Sequence, residues 1–541
     1  MIARGTAGTR FPYAPTTLHA LLDETAAAHG ERDAIVFGER RLTWEQARRR
    51  ARELACGLLA AGVRPGDHVA VWVPNHPEWV LLWFACSMVG AVVVPVNTRY
   101  KAEEVGFILG QSDAAVLVLV PEFAGIDYLA MLARLRGLQL PALRRVVVIG
   151  ESAPADAVTL ERFVADGAAV APDALDATAA ERDESDPTII VYTSGTTGHP
   201  KGAVHTHRIL RNERSIAQAL DHDADSRVMN HLPFFHVGGG FTGILPPLIT
   251  GGAMILMDQW DPTRAFELIE AERVTVLSGI PTHFIDLLGH PGRERYDVSS
   301  LRTGWIGGAN NPPELIAGAI EKLGMDGLLP VYGMTETTSI TCIPRLGDPR
   351  EVVIAGKGFP VSDIEVKVVD TDSGAELDAE AEGEVCQRGH HLMEGYYRDP
   401  EATAAVIDSD GWFHTGDLGV LDPDGYLSIT GRKSDMFIVG GANAYPAEIE
   451  SALAEHPDIQ QAYVVGVPDQ RLGEIGHAFV EARAGAALEP EAVMAFCRDR
   501  LADYKVPRRV EFVTEWPLTP TGKIQRFRLR ELAAERVAAP P

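Results

Sequence analysis

Residues 188–205 read Thr-Ile-Ile-Val-Tyr-Thr-Ser-Gly-Thr-Thr-Gly-His-Pro-Lys-Gly-Ala-Val-His. The opening stretch, Thr188 to Tyr192, is apolar and β-branched, the pattern of a buried strand. It runs into a loop that holds Thr193, Ser194, Gly195, Thr196, Thr197, Gly198, Lys201 and Gly202. Glycines let a backbone fold around an anion and aim N–H groups at it; the hydroxyls add donors and the lysine adds charge. A Walker A loop has four residues between its glycines and ends in Lys-Ser/Thr, and this loop does neither. Outward from here, similar apolar runs occur at His68 to Val73, Ala114 to Val120, Arg145 to Ile149 and Ala253 to Met257. They alternate with helical patterns, which predicts βαβ units and largely parallel sheets.

The texture changes after about residue 370. Turns such as Asp372-Ser373-Gly374, Asp410-Gly411 and Asp424-Gly425 separate short strands and predict a small, barrel-like antiparallel region. A Gly-rich, charged stretch at 431–443 precedes a compact α+β pattern. The predicted division is a large α/β N-terminal domain over 1–431, a hinge at 432–435 and a small C-terminal domain over 436–541.

The 541 residues carry a net charge of −26. So acidic a surface repels nucleic acid and anionic lipid, and any phosphate site must gather its own local donors. Five cysteines with no CxxC pair argue against a disulfide framework or a zinc site and fit a reducing, cytoplasmic setting. Met1 to Arg10 has no apolar signal core. Trp79 to Val96 approaches membrane-spanning length, but Gly90 and Pro95 interrupt it. It reads as a buried helix to Val89 and a buried strand from Ala91, so no transmembrane segment is expected. Only eight of the 49 basic residues are lysine. Lys201 and Lys523 stand beside glycines, where a compact ammonium serves better than a guanidinium.

Further clusters carry chemistry. Tyr332-Gly333-Met334-Thr335-Glu336-Thr337 sets an aromatic face, a glycine turn, a hydroxyl and a carboxylate close together. Gly307-Gly308-Ala309 is a candidate turn. Asp417, in Trp412-Phe413-His414-Thr415-Gly416-Asp417, offers an ionised carboxylate, which accepts hydrogen bonds and donates none. Gly431-Arg432 and Pro520-Thr521-Gly522-Lys523-Ile524 follow.

In this order the motifs resemble those of the adenylate-forming superfamily, which includes acyl-CoA synthetases, peptide-synthetase adenylation domains and firefly luciferase. The resemblance covers nearly the whole chain. It implies that Thr193 and the loop 194–198 with Lys201 bind the phosphates of ATP. It also implies that Tyr332 stacks on adenine beside the backbone of Gly307, Gly308 and Ala309, with Gly333 as the turn. Thr335 then bonds phosphate and Glu336 holds Mg²⁺, a hard cation that favours carboxylates and ATP oxygens. Asp417 and Arg432 take the ribose. Lys523, carried on the small mobile domain, bridges the acid's carboxylate and the α-phosphate, where a cation between two approaching anions lowers the barrier. His236 matches an aromatic gate at an acyl pocket flanked by Val237, Gly240, Trp305 and Met334. Ser434 stands at a hinge position that is usually Asp or Lys.

The implied reaction joins ATP and a carboxylic acid as acyl-AMP and passes the acyl group to coenzyme A, in a monomer or homodimer. Gly440 and Gly441 resemble the loop that lines the pantetheine tunnel, where glycine admits a thin chain. Eighteen residues follow Lys523, so an attached carrier domain is not expected. An acyl-AMP ligase with another acceptor is the alternative. A remoter one is a nicotinamide oxidoreductase, because Gly238-x-Gly240-x-x-Gly243 with Asp258 fits the dinucleotide fingerprint. Pro246-Pro247 and the lack of a clean preceding strand speak against it. Three glycines, Gly238 to Gly240, beside His236 point to room for an apolar medium or large acid, fatty or aromatic. No arginine follows Pro281-Thr282, which disfavours a second carboxylate.

Overall fold

The computed structural model describes residues 1–5, 10–135, 140–193, 200–309, 311–433, 435–439, 442–469, 471–518 and 524–538. Two sheets dominate the large unit. In the eight-stranded sheet, Val158–Thr159, Arg145–Val148, Ala114–Leu119, His68–Trp72, Val92–Pro95 and Pro187–Thr193 run parallel in that spatial order. Lys201–Thr206 and Gly395–Tyr396 then extend it as antiparallel strands. The seven-stranded sheet runs Gly327–Val331, Thr303–Gly307, Val276–Leu277, Arg227–Asn230, Ala253–Leu256 and Asp33–Phe37 in parallel, with Arg40–Thr43 antiparallel at the edge. The alternation of runs and helices thus predicts the layout correctly.

The helix Pro77–Val89 is buried along its whole length and ends at Gly90, whose φ of 72° only glycine adopts freely. Trp79, Trp83, Phe234 and Phe241 meet beside it in one core. Among the described residues no helix is long and apolar enough to cross a membrane.

The antiparallel region is a five-stranded sheet in the order Ile2–Arg4, Ile364–Val369, Glu382–Gly389, Phe413–Leu421 and Leu427–Arg432. It begins a few residues earlier than expected and recruits the N-terminus as its first strand, which sequence texture does not reveal. The sheet curls: a Cβ on Gly425 would lie 3.4 Å from the Cβ of Ala3.

In the small unit Gly473–Ala482 pairs with Phe437–Val439, Ile459–Asp469 and Arg509–Phe512. The helices Pro446–Ala454, Pro490–Arg498 and Arg526–Ala538 accompany this sheet.

One expectation is corrected. Pro246 and Pro247 do not break a helix; they lie inside Val237–Thr250. Proline 247 supplies no N–H for the carbonyl of Gly243, and Asn230 Nδ2 donates to that oxygen at 2.7 Å instead. A βαβ unit therefore does surround the dinucleotide-like glycines. Packing occupies them: a Cβ would lie 2.7 Å from the Phe234 carbonyl at Gly240 and 1.7 Å from Asn230 Oδ1 at Gly243.

Candidate active site

The strands flanking the phosphate loop form a β-hairpin, with Thr193 paired to Lys201 and Tyr192 to Gly202. Ser194, Gly195, Thr196, Thr197 and Gly198 at its tip lie outside the described residues. Thr193 Oγ1 donates to the Lys201 carbonyl at 3.4 Å. On the other side of Lys201–Thr206, Ala203 pairs with Tyr396 and the Tyr397 N–H donates to Gly202. This brings the Tyr396 ring 5.2 Å below Lys201 Nζ. The Tyr396 hydroxyl donates to Glu336 Oε1 at 2.9 Å. Burial and the Glu336 carboxylate push the Tyr396 phenol upward, so it stays a donor. Sequence reasoning missed Tyr396. Glu-Gly-Tyr-Tyr reads as an ordinary turn, and only the pairing with Lys201–Thr206 gives it a place.

Glu336 sits in a 3₁₀ turn, Thr335–Thr337. The loop is closed at its base by Tyr332 and Cys342. Gly333 is obligatory there, because a Cβ would lie 1.8 Å from the Ser339 carbonyl. Thr335 is buried, and the Met393 N–H donates to the Glu336 carbonyl.

A second carboxylate stands nearby. Asp417 Oδ2 accepts from the Tyr332 hydroxyl at 2.8 Å, and Oδ1 accepts from Arg432 Nε at 2.7 Å. The sheet enforces this meeting, since Asp417 and Arg432 are register partners. Tyr332 is held far above its ordinary pKa by burial and by Asp417. Gly307 closes the strand Thr303–Gly307, and Gly308 turns at φ 79°; Gly308 and Ala309 are exposed.

At the candidate acyl pocket, His236 caps the helix Val237–Thr250: its Nδ1 accepts from the Gly238 N–H at 3.3 Å. A Cβ on Gly238 would lie 3.4 Å from Trp305 and 3.7 Å from His236 Nδ1, so these three converge. Trp305 is fixed by Nε1, which donates to Thr242 at 3.1 Å. The room expected from three glycines shrinks to one, since backbone carbonyls fill the space at Gly239 and Gly240. Val237 is buried in the main core. Met334 packs in a different cluster, with Ala203, Met393 and Phe413.

Lys523, Gly440, Gly441 and Ser434 lie outside the described residues. Beside Ser434, Lys433 bonds the large unit through the Gly416 and Thr371 carbonyls. Asp435 pairs with Arg526 and Arg530 of the small unit. A surface cavity of about 780 Å³ beside His19, Asp23 and Arg182 contains none of the predicted residues.

Comparison with known proteins gives the family. Residues 22–397 match the AMP-binding enzyme family and residues 448–523 match the AMP-binding enzyme C-terminal domain. A 3-[(3aS,4S,7aS)-7a-methyl-1,5-dioxo-octahydro-1H-inden-4-yl]propanoyl:CoA ligase of Mycobacterium tuberculosis (strain ATCC 25618 / H37Rv) is 42% identical, over 95% of this chain and 99% of that protein. The mitochondrial medium-chain acyl-CoA ligase ACSF2 of Bos taurus is 35% identical, over 95% of this chain and 87% of that one. The crystal structure of the anthranilate CoA ligase AuaEII in complex with anthranoyl-AMP superimposes with a TM-score of 0.87 at 28% identity, over 98% of this chain and 99% of that one. The chain belongs to the AMP-binding enzyme family and is an AMP-forming acid–thiol ligase of the acyl-CoA synthetase type, using ATP, Mg²⁺ and CoA.

Proposed function

We propose that the acid this ligase activates is apolar and of medium length or carbocyclic, and that the residues above divide the work as follows. The observation that carries the site is the meeting of three groups: the phosphate hairpin at Thr193 and Lys201, Glu336 held by Tyr396, and Asp417 held by Tyr332 and Arg432.

Lys201 supplies the local positive charge that an acidic protein needs for a polyphosphate. Asp417 keeps acceptor capacity beyond its two bonds and takes the ribose hydroxyls, with Arg432 beside it. Tyr332 presents its ring to adenine. Tyr396 orients one oxygen of Glu336, which leaves the carboxylate able to hold a hard cation; the donor set fits Mg²⁺. Bound there with ATP, Mg²⁺ neutralises phosphate charge. Lys523 draws the acid's carboxylate to the α-phosphate, so that acyl-AMP and pyrophosphate form. The anchors on Lys433 and Asp435 bracket the boundary between the units and support a pivot at residues 432–435. After the small unit turns, Gly440 and Gly441 admit the CoA thiol and AMP leaves.

The acid's class rests on the pocket wall. Trp305 is 5% exposed and faces Gly238, next to His236. At the segment after Pro281, burial holds His283 neutral and the nearby Asp286 carboxyl is raised by burial. Neither group attracts a second carboxylate, which supports a monocarboxylic acid. The named substrates of the relatives, an indenyl propanoate, medium-chain acids and anthranilate, are in keeping with this. All five cysteines are free thiols, which supports a reducing compartment such as the cytoplasm.

The test is pyrophosphate release across a panel of medium-chain, carbocyclic, aromatic, acetic and malonic acids, with and without CoA. The expected outcome is turnover with the apolar acids, accelerated by CoA. Preference for acetate or malonate overturns the pocket reading. Acyl-AMP that never reaches CoA points to a different acceptor.

A further inference from the structure

The chain leaves the phosphate hairpin at Thr206 and enters the helix Ile209–Ala219 three residues later. Two consecutive residues of that helix, Asn212 and Glu213, are polar and 0% exposed. Both grip the return leg of the loop that carries Glu336. Asn212 Nδ2 donates to the Ile340 carbonyl at 3.0 Å, and Ser339 Oγ donates to Glu213 Oε1 at 2.5 Å. Ser339 is where that loop folds back on itself. Its carbonyl packs against Gly333, and its N–H donates to the Thr337 carbonyl at 2.9 Å.

Glu213 is a costly choice for this position. Among the described residues its second oxygen, Oε2, is buried without a hydrogen-bond partner. Burial pushes its carboxyl up to about 8, against a partial offset from Ser339. An apolar residue of similar volume avoids that desolvation cost. A buried polar group with an unused oxygen calls for an explanation, and the bond it does make goes to the loop of the proposed metal site.

We propose that Asn212 and Glu213 are positioning residues. The helix Ile209–Ala219 is a strut that begins at the phosphate hairpin and clamps residues 339–340, and so sets Glu336 at a fixed place relative to Lys201 and Thr193. The inference rests on Glu336 holding Mg²⁺, as proposed above. It predicts that cutting the Glu213–Ser339 bond loosens Glu336 and weakens the metal site, while the residues that bind ribose and adenine keep their own anchors.

The experiment is ATP–pyrophosphate exchange titrated with free Mg²⁺ at fixed ATP. Glu213→Leu removes the acceptor and keeps the volume. The Mg²⁺ needed for half-maximal rate is expected to rise severalfold, up to about tenfold, below the cost of losing a direct partner of a metal ligand because the cut bond reaches Glu336 only through the loop. The rate at saturating Mg²⁺ stays near that of the wild type. Glu213→Gln retains an acceptor for Ser339 and keeps the wild-type titration, whereas a merely space-filling role predicts no shift in either variant. Ser339→Ala cuts the bond from the other side and reproduces the shift; it decides the matter if Glu213→Leu does not fold. An unshifted titration in Ser339→Ala or in folded Glu213→Leu overturns the proposal, as does a Glu213→Gln shifted as far as Glu213→Leu. Glu336→Gln is run beside them. If it titrates like the wild type, the metal assignment fails and takes this inference with it. If it shifts and Ser339→Ala does not, the inference alone fails.

Discussion

Two carboxylate–arginine pairs stand on either side of the boundary between the units, and they are built differently. In the large unit Asp417 accepts one bond from Arg432 and one from Tyr332, and the arginine side chain is 53% exposed. In the small unit Glu450 is buried. Arg526 forks onto both its oxygens at 2.8 and 2.7 Å, and the Val464 N–H takes a further place at 2.7 Å. The first pair has spare acceptor capacity and an open cation, as a ligand site needs. The second accepts three bonds, two of them a bidentate fork, and is buried; it serves as frame, holding the start of the helix Arg526–Ala538. On the assignment proposed above, unused hydrogen-bonding capacity and exposure distinguish the pair that binds from the pair that frames, although arginine and carboxylate appear in both.

The two units are expected to part most widely in acid. Among the described residues, burial lowers the pKa of nine histidines in the large unit, including His205, His222 and His231. In the small unit burial lowers one, His477. These groups stay neutral in the fold and charge on unfolding. Their contribution is intact above pH 6.5 and is lost as pH falls below it, at up to about 1.4 kcal/mol per histidine and pH unit. Glu213, protonated in the fold, works the other way and gains as pH falls from about 8. The net effect is destabilising. Calorimetry at pH 7, 6 and 5 should show the large unit's transition dropping much faster than the small unit's; parallel shifts break the comparison.

Asp417→Ala strips the binding pair of its carboxylate. The two charge-assisted bonds to ribose proposed for it, each worth about 1.5–3 kcal/mol, predict a loss of at least a hundredfold in kcat/KM for ATP. Both half-reactions should suffer, since the ribose is held in each. A loss confined to one of them contradicts the assignment. Lys523→Ala should slow ATP–pyrophosphate exchange by about 10²–10³-fold, as for other groups that stabilise developing charge, while CoA still attacks supplied acyl-AMP. Equal loss in both halves removes the bridging role. Gly441→Leu should show the reverse pattern. Overfilling a close-packed passage costs about 1–3 kcal/mol, or roughly 5–150-fold in thioester formation, with exchange spared.

Legibility in the sequence followed the kind of force at work. The parallel strands announced themselves as apolar runs, because both faces of such sheets are buried. Thr193, Glu336, Asp417 and Arg432 could be proposed because each sits in a local motif of turn and charged residues that resembles the superfamily's. Tyr396 could not, since its role arises only from pairing with Ala203. Ile2–Arg4 was hidden for the same reason: its partner, Ile364–Val369, is far away in the chain. Pro246 and Pro247 misled because local propensity forbids a helix there, whereas Asn230 repairs the ladder from a neighbouring strand. Gly239 and Gly240 looked like space and proved to be contact. Sequence reveals periodicity and local chemistry; bonds closed over long separations need the fold.

The smallest expected effect is the sharpest test of the frame. Arg526→Lys keeps the charge beside Glu450 and loses the fork. A lysine is a single point donor group and cannot span both oxygens in the same planar way. It also gives up the bonds from the guanidinium to Asp435 and to the Val464 carbonyl. The buried Glu450 still has the Val464 N–H, so it is not left bare. The lost bond to Glu450 corresponds to about 1.5 kcal/mol, and the lost bonds to Asp435 and the Val464 carbonyl add to it. The small unit should therefore melt a few degrees earlier. Because Arg526 lies three residues beyond Lys523, adenylation should slow by about tenfold or less, through Lys523 alone. The KM for ATP should not change, since Asp417 and Tyr332 are untouched. Thioester formation from supplied acyl-AMP should also hold. If the KM for ATP rises instead, the Glu450–Arg526 pair takes part in nucleotide binding, and the division between a binding pair and a framing pair does not stand.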